Sequence, residues 1–114
     1  MTELLLPSSA EQINQRADRR ATIRCHRHQG SGGAATYERL WARVRRISVK
    51  RIRLILSSRI EPGTPLTIEM RTKDQENTLA LLARVVHARR RKWGWLVGCE
   101  FLIRLTAEQL EELL

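Results

Sequence analysis

Short runs of alternating apolar and polar residues, separated by turn-forming residues, constrain the fold of this chain more than any other feature. The clearest run covers residues 66–70, where leucine, isoleucine and methionine alternate with threonine and glutamate. Successive side chains of a strand point to opposite faces, so this pattern predicts a strand with one buried face. Residues 40–47 mix apolar residues and arginines in a similar way, which predicts a half-buried strand with a basic outer face.

Three further segments have the composition of strands. Residues 52–56 are largely apolar and β-branched, and residues 93–101 contain two glycines that suggest a bulge or a close backbone approach. Residues 78–91 would also fit a buried helix face, but the Ala-Arg-Val-Val-His run at residues 83–87 favours a strand. Turn chemistry separates these segments, most clearly in the Glu-Pro-Gly-Thr-Pro run at residues 61–65.

Capping boxes mark two short helices at the ends of the sequence. Ser8 and Ser9 precede Glu11 and Gln12, which predicts a short helix over residues 10–18. Thr106 precedes Gln109 in the same way, and the leucines that follow can pack on the body of the protein. About six short strands and a closing helix predict an all-β protein, an antiparallel barrel or sandwich capped by a C-terminal helix.

Size and composition favour a binding module over a multi-step enzyme. A chain of 114 residues forms one domain with a small core, which leaves little room for a deep cleft. The sequence has no apolar run of the roughly 20 residues that a membrane helix needs, and no signal peptide is expected. Two cysteines do not make a disulfide framework. We therefore expect a cytoplasmic protein without catalytic activity.

The positive charge of the chain is concentrated in its first half. The net charge is +9, and residues 1–60 hold 13 basic and 4 acidic side chains, whereas residues 61–114 hold 8 of each. Arginine grips phosphates and guanine edges with a planar fork of donors, so two arginine-rich clusters are candidate anion sites. The first comprises Arg16, Arg19, Arg20, Arg24 and Arg27, and the second Arg43, Arg45, Arg46, Lys50, Arg51 and Arg53 around Ser48.

The sequence gives little indication of metal binding or catalysis. The Cys-His-Arg-His run at residues 25–28 lacks a second pair of ligands at zinc spacing, so we expect no metal site. The familiar catalytic motifs are absent from the sequence. The tryptophans Trp41, Trp93 and Trp95 are predicted to fill the core, with base stacking as the alternative.

Two sequence pieces and the end of the chain resemble the PilZ domain, the bacterial receptor module for cyclic diguanylate. Residues 19–24, Arg-Arg-Ala-Thr-Ile-Arg, are similar to its R-R-x-x-x-R motif. Residues 46–51, Arg-Ile-Ser-Val-Lys-Arg, lie where the family has (D/N)-x-S-x-x-G, and residues 97–101 followed by the capped helix resemble its closing strand and helix. The resemblance covers about residues 16–114.

The resemblance implies a six-stranded antiparallel split barrel with a C-terminal helix, over residues 19–114, preceded by an N-terminal extension over residues 1–18. In the family, arginines of an N-terminal loop clamp the dinucleotide against the barrel, so that role falls on Arg20 and Arg24, with Arg19 beside them. The serine of the second motif is Ser48. A protein partner, or self-association in the bacterial cytoplasm, would respond to the bound nucleotide.

Two positions depart from the family pattern. Arg46 replaces the Asp or Asn, whose side chain accepts hydrogen bonds from guanine, and Arg51 replaces the Gly. These departures leave open a degenerate module that binds no nucleotide and acts through protein–protein interaction. A general nucleic-acid or anionic-surface binder is a further alternative that we do not expect. The predicted ligand-binding residues are Arg19, Arg20, Arg24, Arg46, Ser48 and Arg51, with no cofactor besides the cyclic-di-GMP ligand.

Overall fold

Six antiparallel strands close into a barrel, which confirms the predicted fold class. The structure is a computed structural model that describes residues 15–27 and 36–114. Around the barrel the strands follow the order β1-β2-β3-β6-β5-β4. The elements are β1 (Gln15–Arg27), β2 (Thr36–Ile47), β3 (Arg51–Leu56), β4 (Pro65–Arg71), β5 (Thr78–Arg91), β6 (Gly94–Phe101) and helix α1 (Ala107–Leu113).

The barrel interior is filled by every second side chain of the strands, as the alternating sequence pattern predicts. In β3, for example, Ile52, Leu54 and Leu56 are buried while Arg51 and Arg53 are exposed. Aliphatic side chains from all six strands form one continuous core. The basic residues between them are therefore placed on the outside of the barrel.

Strand β1 differs from the sequence-based expectation of a helix followed by a loop. Residues 10–14 of the predicted helix lie outside the described residues, and the remainder, residues 15–18, begin β1. Ala21, Ile23 and Cys25 alternate inward and are buried, so β1 has the pattern of a half-buried strand. It pairs with β2 along its length and with β4 through residues 22–25. At residues 15–18 the pairing of β1 with β2 thus outweighs the local helix signal, while the domain division at residue 18 stays a prediction.

Helix α1 packs against the core and is capped as the sequence predicts. The Thr106 side chain accepts from the Gln109 backbone N–H, and the Gln109 side chain accepts from the Thr106 backbone N–H. Leu110 and Leu113 are buried in the core. Within the described residues, no helix is long and apolar enough to cross a membrane.

Two glycines have a positive φ that turns in the barrel require. Gly63 has a φ of +92°, and its neighbours Glu61 and Thr64 are joined by a backbone hydrogen bond of 3.2 Å. Gly94, at the β5–β6 turn, has a φ of +135°, and a Cβ built there would lie 2.6 Å from the backbone oxygen of Leu56. Gly94 therefore satisfies both a backbone conformation and a close approach.

Alanine substitutions at Gly63 and Gly94 separate the effect of a positive φ from the effect of a close backbone approach. Gly63→Ala has open space around it, so we expect it to lower the free energy of unfolding by about 1 kcal/mol through its φ alone. Gly94→Ala adds a collision with rigid backbone, so we expect a loss of about 3 kcal/mol. Urea denaturation of both variants measures the difference. Equal losses would contradict a steric role for Gly94.

Both cysteines are free and lie inside the barrel. Burial, with a smaller contribution from neighbouring Cys25, raises the pKa of the Cys99 thiol to about 12. At pH 8 only about one Cys99 side chain in ten thousand would then be a thiolate, the form that reacts with disulfide reagents.

Thiol labelling of the folded protein tests this burial. We expect Ellman's reagent at pH 8 to label neither cysteine within minutes and to label both in denaturant. Raising the pH within the folded range should increase the rate, because the thiolate population grows as pH approaches the raised pKa. Rapid labelling of one cysteine in the folded protein would contradict the placement of these strands.

Candidate functional site

The outer face of β1 and β2 carries an ordered set of arginines around a tryptophan. Strand register places three pairs of outward-facing residues directly opposite each other. We call these six residues the β1–β2 face. The pairs are Arg20 with Arg43, Thr22 with Trp41, and Arg24 with Arg39. Trp41 therefore lies between two arginine pairs, each two residues away, which is about 7 Å along the strand.

Like charges directly opposite each other on neighbouring strands destabilise a sheet, so these pairs need compensation. Glu69 on β4 supplies it at one end, since its carboxylate lies 3.4 Å from Nη2 of Arg24 and 3.6 Å from Nη2 of Arg39. Within the described residues, no carboxylate lies within ion-pair distance of Arg20. Glu69 therefore compensates the Arg24–Arg39 pair, and Arg20 presents its charge at the other end of the face.

The prediction that the tryptophans fill the core is wrong for Trp41 and Trp93. Trp41 is 72% exposed and Trp93 is 48% exposed, while Trp95 is partly buried against the core. The reason is strand parity: Ala42 and Val44 occupy the inward positions of β2, so Trp41 points outward. Arg45 lies over the Trp93 ring at 5.7 Å from its centroid, within cation–π range.

Two grooves meet at Arg20 and Trp41. The larger encloses about 590 Å³ and is also lined by Thr22, Arg39 and Glu69. The smaller encloses about 420 Å³ and extends over Arg43 to Trp93. Both volumes are in the range of small-molecule sites. Together they offer arginine donors, exposed indole surface and one carboxylate, a combination suited to a ligand with anionic groups and flat rings.

Arg19 also lines the larger groove, but unlike its neighbour Arg20 it is held by hydrogen bonds to backbone oxygens. Its Nη1 donates to the backbone oxygen of Leu113 at the end of α1, and its Nη2 donates to the backbone oxygens of Arg71 and Thr72 at 2.7 and 3.3 Å. A cation at the C-terminus of a helix satisfies carbonyls that have no helical partner. Arg19 therefore links β1, the end of β4 and the helix.

The second predicted motif lies at the β2–β3 turn. Ser48 is buried, and its Oγ accepts from the backbone N–H groups of Lys50 at 3.3 Å and Arg51 at 3.1 Å. This serine closes the turn. Arg46 and Arg51 are exposed, and Arg46 is opposite Arg53 of β3, so the basic surface continues beyond the β1–β2 face.

The structure does not bring all six predicted ligand-binding residues into one pocket. Arg20 is opposite Arg43, three residues along β2 from Arg46, a separation of about 10 Å. Arg24 is opposite Arg39, seven residues from Arg46, so about 23 Å separates these positions along the strand. Arg19, Arg20 and Arg24 also lie in strand β1, whereas the sequence resemblance places them on a loop.

Sequence reasoning missed Arg39 and Glu69, which complete the larger groove. The signal was present in the period-two alternation, because Glu69 separates the inward-facing Ile68 and Met70. The neighbouring strand β1 was not predicted as a strand, so the sequence did not indicate which residues lie beside Glu69. Among described side chains, no group of three His, Cys, Asp or Glu residues could hold a metal ion, while His28 lies outside the described residues.

Comparison with protein families identifies a match over most of the chain. The model of the PilZ domain family matches residues 14–114, nearly the whole chain. No curated protein matches the sequence. The family match covers all six strands and the helix.

Neighbouring alanine substitutions test the division of roles in β1. Arg19→Ala removes hydrogen bonds from a charged donor to three backbone oxygens, so we expect it to lower the free energy of unfolding by about 2 kcal/mol. Arg20→Ala removes an exposed side chain and should change stability by less than about 0.5 kcal/mol. Chemical denaturation of the two variants measures both, and a larger loss for Arg20→Ala would contradict this assignment.

Proposed function

The chain belongs to the PilZ domain family, and from this membership we propose that it is a cyclic-di-GMP-binding module. PilZ domains are ligand-binding and adaptor domains, so the proposed role is reception of a signal and not catalysis. We place the ligand on the β1–β2 face, with Arg20 as the main phosphate contact.

The observation that carries this proposal is the opposed Arg20–Arg43 pair beside the exposed Trp41. Arginines on adjacent strands concentrate positive charge, and a phosphate beside them would accept charge-assisted hydrogen bonds from Arg20. An exposed tryptophan next to them offers a flat apolar surface to a base. Cyclic-di-GMP supplies phosphates and flat guanine rings in one molecule.

The other predicted ligand-binding residues contribute less directly in this proposal. Arg24 acts through its ion pair with Glu69, which lines the larger groove. Ser48 keeps the β2–β3 turn in shape, and Arg46 and Arg51 attract the anion from that end of the barrel. Arg19 orients β1 through its bonds to α1 and the end of β4. Neutralisation of the face by the ligand would change how a protein partner or a second copy docks there, in the bacterial cytoplasm.

A second candidate function is a protein-interaction adaptor that binds no nucleotide. Arg46 and Arg51 favour it, because they replace the acceptor and the glycine of the family motif. Arginine has no acceptor atom for a guanine donor. In this alternative the exposed basic and aromatic surface would bind an acidic protein segment directly.

Calorimetric titration with cyclic-di-GMP tests the proposal. Arg20→Ala should weaken binding about tenfold or more, because it removes charge-assisted contacts to phosphate. Raising the salt concentration should also weaken binding, since exposed charges are screened. Arg104→Ala is the matched control, since Arg104 is an exposed arginine outside both grooves.

Two results would contradict nucleotide binding at this face. One is an affinity that Arg20→Ala leaves unchanged, which would place the ligand elsewhere. The other is the absence of heat at high micromolar ligand for the unaltered chain. Together with a protein complex that survives removal of nucleotide, that second result would support the adaptor.

A further inference from the structure

The guanine edge needs hydrogen-bond acceptors that the second motif of this chain does not supply. Guanine presents N1–H and N2–H donors on its Watson–Crick edge, and leaving buried donors unmatched weakens binding. Arg46, at the position of the family's Asp or Asn, has donors only. If this chain binds a guanine nucleotide, the acceptor must come from another residue.

The carboxylate of Glu69 is an acceptor that lies in register with the exposed Trp41. Thr22 of β1 is opposite Trp41 of β2 on one side and opposite Glu69 of β4 on the other. These three residues therefore form a row across three strands, with backbone positions of Trp41 and Glu69 about 10 Å apart. The short threonine between two longer side chains makes the floor of the larger groove, which all three residues line.

Glu69 is held in place by ion pairs and can still accept further hydrogen bonds. Its side chain is 25% exposed, and it is the one carboxylate among the described residues that line the larger groove. Arg24 and Arg39 hold it from two sides at 3.4 and 3.6 Å. A carboxylate has about four lone-pair sites, so two long contacts leave capacity for an incoming pair of donors.

We propose that the larger groove is a guanine-binding site, in which the base stacks on Trp41 and presents N1–H and N2–H to Glu69. The proposal rests on the proposed function for the identity of the ligand as a cyclic dinucleotide. The phosphate attached to the base then lies toward Arg20 and Arg43, which are one position along the outer face. Glu69 takes over the acceptor role that Arg46 cannot perform.

This assignment predicts discrimination between purines. Adenine presents an acceptor at N1, which would face the carboxylate oxygen without a hydrogen between them. A site built to bond a particular donor rejects the analogue that lacks it more strongly than a stacking surface alone does. We therefore expect guanine nucleotides to bind at least tenfold more tightly than their adenine counterparts.

The test measures affinities of the full chain for cyclic-di-GMP, cyclic-di-AMP, GMP, AMP and inorganic phosphate. Trp41 fluorescence is recorded in a Trp93→Phe/Trp95→Phe background, so that quenching reports contact with this indole. Trp41→Ala should weaken the binding of guanine nucleotides about tenfold, as measured by calorimetry. Trp41→Phe should restore part of the lost affinity because it keeps an aromatic face.

Glu69→Gln should lower the preference for guanine over adenine about tenfold and leave affinity for inorganic phosphate unchanged or higher. Glu61→Gln is the matched control, because Glu61 also pairs with an arginine, Arg59, but lies outside both grooves. Thermal unfolding of each variant shows that the barrel is intact.

The outcomes separate this inference from the proposed function. Binding of cyclic-di-GMP that neither Trp41→Ala nor Glu69→Gln weakens would overturn the guanine site and leave the module's ligand in place. Binding of GMP that depends on both residues, without binding of cyclic-di-GMP, would support the site and overturn the proposed function. Equal affinity for guanine and adenine nucleotides, or no nucleotide binding, would overturn the guanine assignment.

Discussion

The pairing of β1 with both β2 and β4 is the interaction on which the rest of the structure depends. It closes the barrel, and residues 22–25 of β1 are paired on both edges. Because Ala21, Ile23 and Cys25 fill the interior positions, the residues between them are held on the outside in fixed register. Barrel closure thus decides which arginines face solvent and which groups lie beside them.

The β1–β2 face keeps residues that lower the stability of the fold. Opposed arginines on neighbouring strands are unfavourable for folding, and the sheet retains them while Glu69 offsets one pair. The exposed indole of Trp41 is likewise unfavourable in water. Local conflicts of this kind are expected at binding surfaces, where the sequence serves a partner as well as the fold.

The fold could be predicted from the sequence because its strands are amphipathic and its turns carry strong local signals. Strands β2 to β6 and the capped helix were visible in period-two patterns, in Pro62-Gly63 and in Thr106. Strand β1 was not, since its inward residues include small ones and its arginines suggested a loop. The site was less predictable still, because Glu69 and Trp41 become neighbours only through pairings on both sides of Thr22.

Arg19 and Arg20 are adjacent in sequence but serve different surroundings. Arg19 donates to the end of α1 and also lines the larger groove, while Arg20 lines both grooves. A single peptide unit therefore connects the wet surface of the barrel with the carbonyl end of its helix.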